Sequence, residues 1–97
     1  MTLEEFEASL QSPEPPAHLT ELLRALWYDR KGNWEEAHHL AQAVPTADGS
    51  WVHAYLHRRE GDPGNARYWY VRAGRAESGT SLEEEWTRIA THLLANL

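Results

Sequence analysis

His53 and His57 stand four residues apart, a spacing that puts two imidazoles on one helix face and can present both to one metal ion. A third ligand must come from elsewhere in the chain, and His38, His39 and Glu60 are the candidates. Residues 54–56 read Ala-Tyr-Leu, so the glutamate of an HExxH-type zinc site is missing between the histidines. Taken by itself, the spacing favours a pair of packed, hydrogen-bonded histidines. The expectation is therefore no cofactor, with a metal at His53 and His57 as the alternative. Beside Tyr55 and Arg58, the same histidines could also act as acid and base in a small-molecule pocket. No nucleophile stands in a recognisable motif, which disfavours an enzyme.

The histidines sit within a wider concentration of aromatic and basic side chains. Between residues 51 and 72 lie Trp51, His53, Tyr55, His57, Arg58, Asn65, Tyr68, Trp69, Tyr70 and Arg72. Ring faces that bury apolar area beside a guanidinium that grips a carboxylate are what a groove needs to hold an acidic or C-terminal peptide. The competing reading makes Trp51 and Tyr55 core residues. Glycine-rich Gly61–Asn65 matches no phosphate loop, but it opens a helix whose free N–H groups could meet an anion near Arg58 or Arg67. Glu83-Glu84-Glu85 and Glu35-Glu36 fall in first helical turns, where negative charge suits the helix dipole.

Charge narrows the choice of partner. The chain carries a net charge of -6, yet residues 51–75 hold five arginines against Glu60 and Asp62. Nucleic-acid binding is disfavoured, because it usually draws on a large basic excess. A local arginine cluster in an acidic chain suits a small anion or an acidic peptide, or pairs with acids on neighbouring helices. No apolar run approaches the roughly 20 residues of a membrane span. There is no cysteine, hence no disulfide framework, thiol nucleophile or thiolate zinc site. The opening MTLEEFEASL lacks the basic flank and apolar stretch of a signal peptide, so a cytoplasmic location is expected. With 97 residues and a mean hydropathy of -0.69, the chain is expected to form one soluble domain with a single core.

The elements that must position these side chains read as helices throughout. Thr2 and Glu5 form a capping box for a helix within residues 1–11, with Leu3, Phe6 and Leu10 on one face. Ser12-Pro13-Glu14-Pro15-Pro16 ends it. A second helix is expected from His18 to Lys31. Gly32 closes it, and Asn33 caps a third through Trp34, Ala37, Leu40, Ala41 and Val44. Pro45–Gly49 reads as a loop and Ser50 as the cap of a fourth helix ending at Gly61. Asp62-Pro63 starts a fifth with Ala66, Trp69, Tyr70 and Ala73 in register. A loop over Gly74–Gly79 follows. Ser81 and Glu84 then cap a final helix over residues 81–97, striped by Leu82, Trp86, Ile89, Ala90, Leu93 and Leu94.

Shifting the chain by 29 residues superposes Arg30-Lys31-Gly32-Asn33 on Arg59-Glu60-Gly61-Asp62, Ala25 on Ala54 and Ala37 on Ala66. Two helix-turn-helix units, 18–44 and 50–74, follow from this self-similarity. Their small residues mark close helix crossings. With Ala25, Tyr28, Gly32 and Ala37 in the first unit, and Ala54, Gly61, Ala66, Tyr70 and Ala73 in the second, the pattern resembles the tetratricopeptide repeat. The period of 29 is shorter than that family's 34, and no proline follows Ala73. The block from His53 to Gly74 is also similar to one in short proteins to which no activity attaches.

The helix signals predict an all-α fold of five or six helices, and the resemblance implies that they stack as a short solenoid or small bundle with the terminal helices as caps. It further implies a groove lined by Leu22, Leu26, Asp29 and Arg30 in one unit and Trp51, Tyr55, Arg58 and Arg59 in the other. The functional expectation is a protein- or peptide-interaction module. The alternative is a metal- or small-ligand-dependent enzyme or binding protein using His53 and His57. Leu93, Leu94 and Leu97 could seal a homodimer.

Overall fold

Local signals set most of the helix ends. The computed structural model describes residues 1–97 and contains six α-helices and no strand. They are α1 (Leu3–Ala8), α2 (Glu21–Arg30), α3 (Trp34–Gln42), α4 (Ala47–Glu60), α5 (Pro63–Ala73) and α6 (Leu82–Ala95). A 3-10 turn, Ser9–Gln11, extends α1. Thr2 Oγ1 accepts from the Glu5 N–H at 3.1 Å while Glu5 Oε1 accepts from the Thr2 N–H at 2.8 Å, which completes the capping box. Asn33, Asp62 and Ser81 cap α3, α5 and α6.

Two boundaries differ from expectation. The cap of α2 is Thr20, so the helix begins at Glu21 rather than His18. The cap of α4 is Thr46 rather than Ser50, and its first turn absorbs the expected loop. Gly49 makes that entry possible. A Cβ there would lie 2.0 Å from the Val44 carbonyl oxygen, so the chain can turn tightly into α4 only with glycine at this position.

The two helical hairpins share one turn geometry. Gly32 and Gly61 both take φ of +86°, and each follows the last helical turn with the same pair of hydrogen bonds. Gly32 N–H donates to Asp29 O at 3.0 Å and Asn33 N–H to Tyr28 O at 2.8 Å; Gly61 N–H donates to Arg58 O at 3.1 Å and Asp62 N–H to His57 O at 2.9 Å. Asn33 and Asp62 then each accept a backbone N–H three residues on at 3.2 Å. The small residues Ala25, Ala37, Ala54 and Ala66 are all buried, as close helix approach requires.

Helix α4 is central. It pairs with α5, packs against α3 of the preceding hairpin, and is crossed by α6, which also contacts α2. Every residue from Gly49 to His57 is buried, the signature of a helix surrounded on all sides. Trp86 of α6 fixes the crossing. Its ring stacks on Phe6 at 5.5 Å, Arg30 covers it at 3.9 Å, and its Nε1 donates to Leu26 O at 2.9 Å. Burying an aromatic of this size contributes roughly 3–5 kcal/mol against truncation to alanine. Lys31 ties down the connector after α1 by donating to Leu10 O at 2.9 Å and Ser12 O at 3.2 Å. No helix is long and apolar enough to cross a membrane.

Candidate metal centre

At 100° per residue, the chemistry-bearing side chains of α4 point to different neighbours. Trp51 and Arg58, seven residues apart, reach α6, and Tyr55 reaches α2. His53 and His57 face α3 and α5.

The α6 side corrects the expected groove. Trp51 is 5% exposed and Tyr55 fully buried, so neither lines an open cleft. Trp51 Nε1 donates to Glu85 Oε2 at 3.1 Å, and Arg75 covers the indole face at 3.4 Å. Arg58 donates to Glu85 Oε1 at 2.6 Å and to Thr80 O at 2.7 Å. Of the other residues assigned to that groove, Leu22, Leu26 and Asp29 are buried and Arg30 lies over Trp86. Helix α6 packs on α2 and α4 where the tetratricopeptide resemblance placed a ligand.

Two acids held more than the sequence suggested. Glu85, read as a first-turn helix acid, is 1% exposed and also accepts from Tyr70 Oη at 2.6 and 2.8 Å. The spacing carried a signal, since Glu85 lies between Leu82 and Ile89 on the inward stripe. Asp29 accepts from Tyr55 Oη at 2.7 Å, and Arg59 Nε stands 2.8 Å from its other oxygen as an ion pair without hydrogen-bond alignment. Burial raises the Asp29 carboxyl above its ordinary range, opposed by Tyr55 and Arg59.

The opposite face of α4 assembles a three-imidazole cluster. His38 of α3 joins His53 and His57, and ligand-capable atoms of all three lie within 4.8 Å of one another. His38 Nε2 and His53 Nε2 are 2.9 Å apart, so one ring donates to the other. His57 Nδ1 lies 2.5 Å from Glu60 Oε2. With Nδ1–H donating to the carboxylate, the lone pair resides on Nε2. Of the third-ligand candidates, His38 is therefore brought in and Glu60 orients His57, while His39 is exposed and outside the cluster.

Two indoles frame the cluster. Trp34 stacks on His38 at 4.8 Å and donates Nε1 to Leu56 O at 2.7 Å. Trp69 stacks on His53 at 3.8 Å. These walls hold the rings in place. Burial first, then the neighbouring His38 and His57, pushes the His53 imidazole down to about 4. Burial, then His57, also lowers His38. Neutral imidazole is the form that binds a metal, so two of the three rings are held in it at neutral pH.

A second set, His57, Glu60 and Asp62, has the same closeness but fewer free donors. Asp62 caps α5 and Glu60 engages His57. The remaining sequence candidates scatter. Asn65 is exposed and contributes only its N–H to the Asp62 cap. Tyr68 is 53% exposed, and Arg72 lies over the rings of Tyr68 and Trp69. Arg58 is engaged by Glu85, which turns it away from the start of α5, while Arg67 makes only an exposed 3.4 Å contact with Glu77.

No family model, curated protein or solved structure matches this chain.

Proposed function

We propose that the protein binds a first-row transition metal ion, zinc(II) foremost, through His38, His53 and His57. The supporting observation is the convergence of three imidazoles from two helices with Glu60 on the back of one of them. Tetrahedral ligation at about 2.1 Å per bond sets nitrogens about 3.4 Å apart, so modest ring rotations suffice to close the set. Three protein ligands leave a position for water or another ligand, as in reactive rather than purely structural zinc sites. A cytoplasmic setting, inferred from the sequence, belongs to the same proposal.

Stripped protein titrated with cobalt(II) should take up one ion with a visible d–d spectrum, displaced by zinc(II). His38→Gln should abolish this uptake, and because His38 is only half-buried the variant should still fold. Glu60→Gln should weaken binding by about 10- to 100-fold. Equal uptake by His38→Gln and the wild type would rule out the centre.

A protein-interaction role, the other sequence-based expectation, finds support on the outer face of α5 rather than in a groove. Tyr68 and Val71 are 53% and 74% exposed there, with Arg67 and Arg72 beside them. This surface suits a protein or acidic peptide, or a second copy of the chain. A partner retained by the wild type and lost by Tyr68→Ala with Val71→Asp would support it; one retained by both would count against it.

A further inference from the structure

A cavity of about 470 Å³ opens where the end of α3, its connector to α4 and the first turns of α4 meet the C-terminal half of α5. Gln42, Thr46, Ser50, His53, Trp69 and Arg72 stand in its wall. Its size falls in the range of small-molecule sites.

Three donor groups border this space, none of them paired with a carboxylate. Arg72 has no carboxylate partner; its guanidinium is laid over Trp69 at 5.3 Å and Tyr68 at 5.7 Å, and donates only to Tyr68 Oη at 3.3 Å. Ser50 is 8% exposed, lines the cavity, and its hydroxyl makes no hydrogen bond within the chain. The hydroxyl therefore opens onto the cavity, free to bond to whatever occupies it. The N–H of Ala47, first residue of the 14-residue α4, also lacks a partner and stands at the positive end of the helix dipole. The acid on that turn, Asp48, is engaged by His92 at 3.0 Å and lines a different cavity.

We propose that this cavity binds the oxyanion group, carboxylate or phosphate, of a small anionic ligand, with Arg72, the Ser50 hydroxyl and the Ala47 N–H as donors. The aromatic faces under Arg72 preorganise its fork, and Trp69 supplies an apolar wall for the rest of the ligand. The site is independent of the metal proposal, although His53 borders both.

Calorimetric titration of metal-free protein with inorganic phosphate and, separately, with acetate tests it. At least one should bind saturably at one site, phosphate alone pointing to a phosphorylated ligand and acetate alone to a carboxylic acid. Arg72→Ala should lower the affinity about tenfold or more, as loss of a charge-assisted fork implies. Ser50→Ala, a small change compatible with helix, should lower it several-fold. Both variants should keep wild-type cobalt(II) uptake and thermal midpoint. Saturation by neither anion, or undiminished affinity in Arg72→Ala, would overturn the assignment.

Discussion

Arg58 Nη1 and Glu85 Oε1 lie 2.6 Å apart, joining α4 to α6 across 27 residues of sequence. The same carboxylate receives Trp51 and Tyr70, so four side chains from three helices share one buried charge. This network, with Trp86 beside it, fastens α6 over α2 and α4. It removes from solvent the surface that the internal repeat suggested for a peptide.

Truncating Glu85 should therefore be among the most damaging single changes. Glu85→Ala leaves Tyr70 and Trp51 without an acceptor and returns the quarter-exposed Arg58 to solvent, a loss of about 2–4 kcal/mol. Urea denaturation checks it. The Arg58→Ala, Glu85→Ala double variant should lose less than the sum of the singles, because the two side chains share one interaction.

The metal-free protein should lose stability on mild acidification. The His53 imidazole is held down at about 4 against an ordinary 6.5. Between those values the unfolded chain carries a proton that the folded one excludes, so stability rises with pH there and is complete above 6.5. On lowering the pH from 7.5 to 5, the urea midpoint should fall, at a slope of at most about 1.4 kcal/mol per pH unit for this group. His38 is displaced in the same direction and adds to the effect. His53→Gln should flatten the dependence; an unchanged midpoint in the wild type would contradict it.

Zinc(II) should stabilise the fold through the imidazole cluster. Free metal at a hundredfold over its dissociation constant adds about 2.7 kcal/mol. For a domain of this size that is roughly 10 °C or more in thermal midpoint. His38→Gln should show no such rise.

Two glycines should respond in opposite directions to alanine. Gly49→Ala drives a Cβ into the Val44 carbonyl, and a shift of backbone is needed to relieve it, at about 2 kcal/mol or more. Gly64→Ala, in the first turn of α5, meets nothing nearer than Asp62 Oδ1 at 4.0 Å and should add up to about 1 kcal/mol. Thermal melts of the two variants separate these outcomes.

Most of the secondary structure was legible because caps and glycine turns act over three or four residues. Thr2 with Glu5, Gly32 with Asn33, Gly61 with Asp62, and Ser81 each do locally what their types suggest. The start of α4 was less legible, because Gly49 looks like a helix breaker until the Val44 carbonyl is placed against it. Of the centre, the His53–His57 pair could be read from its spacing, and His38 could be named only as one of three candidates.

The sequence by itself determined an all-helical chain, the caps of α1, α3, α5 and α6, the repeated turn and a pair of imidazoles on one helix face. Only the tertiary structure decided that α6 covers Trp51 and Arg58, that Tyr55 is buried against α2, that Glu85 is a buried hub, and that His38 completes the cluster. The physical reason is that an amphipathic stripe specifies that a face is buried, not which helix buries it. Capping energies reside in neighbouring residues, whereas the position of α6 depends on Phe6, Trp86 and Glu85 meeting partners far away in the chain.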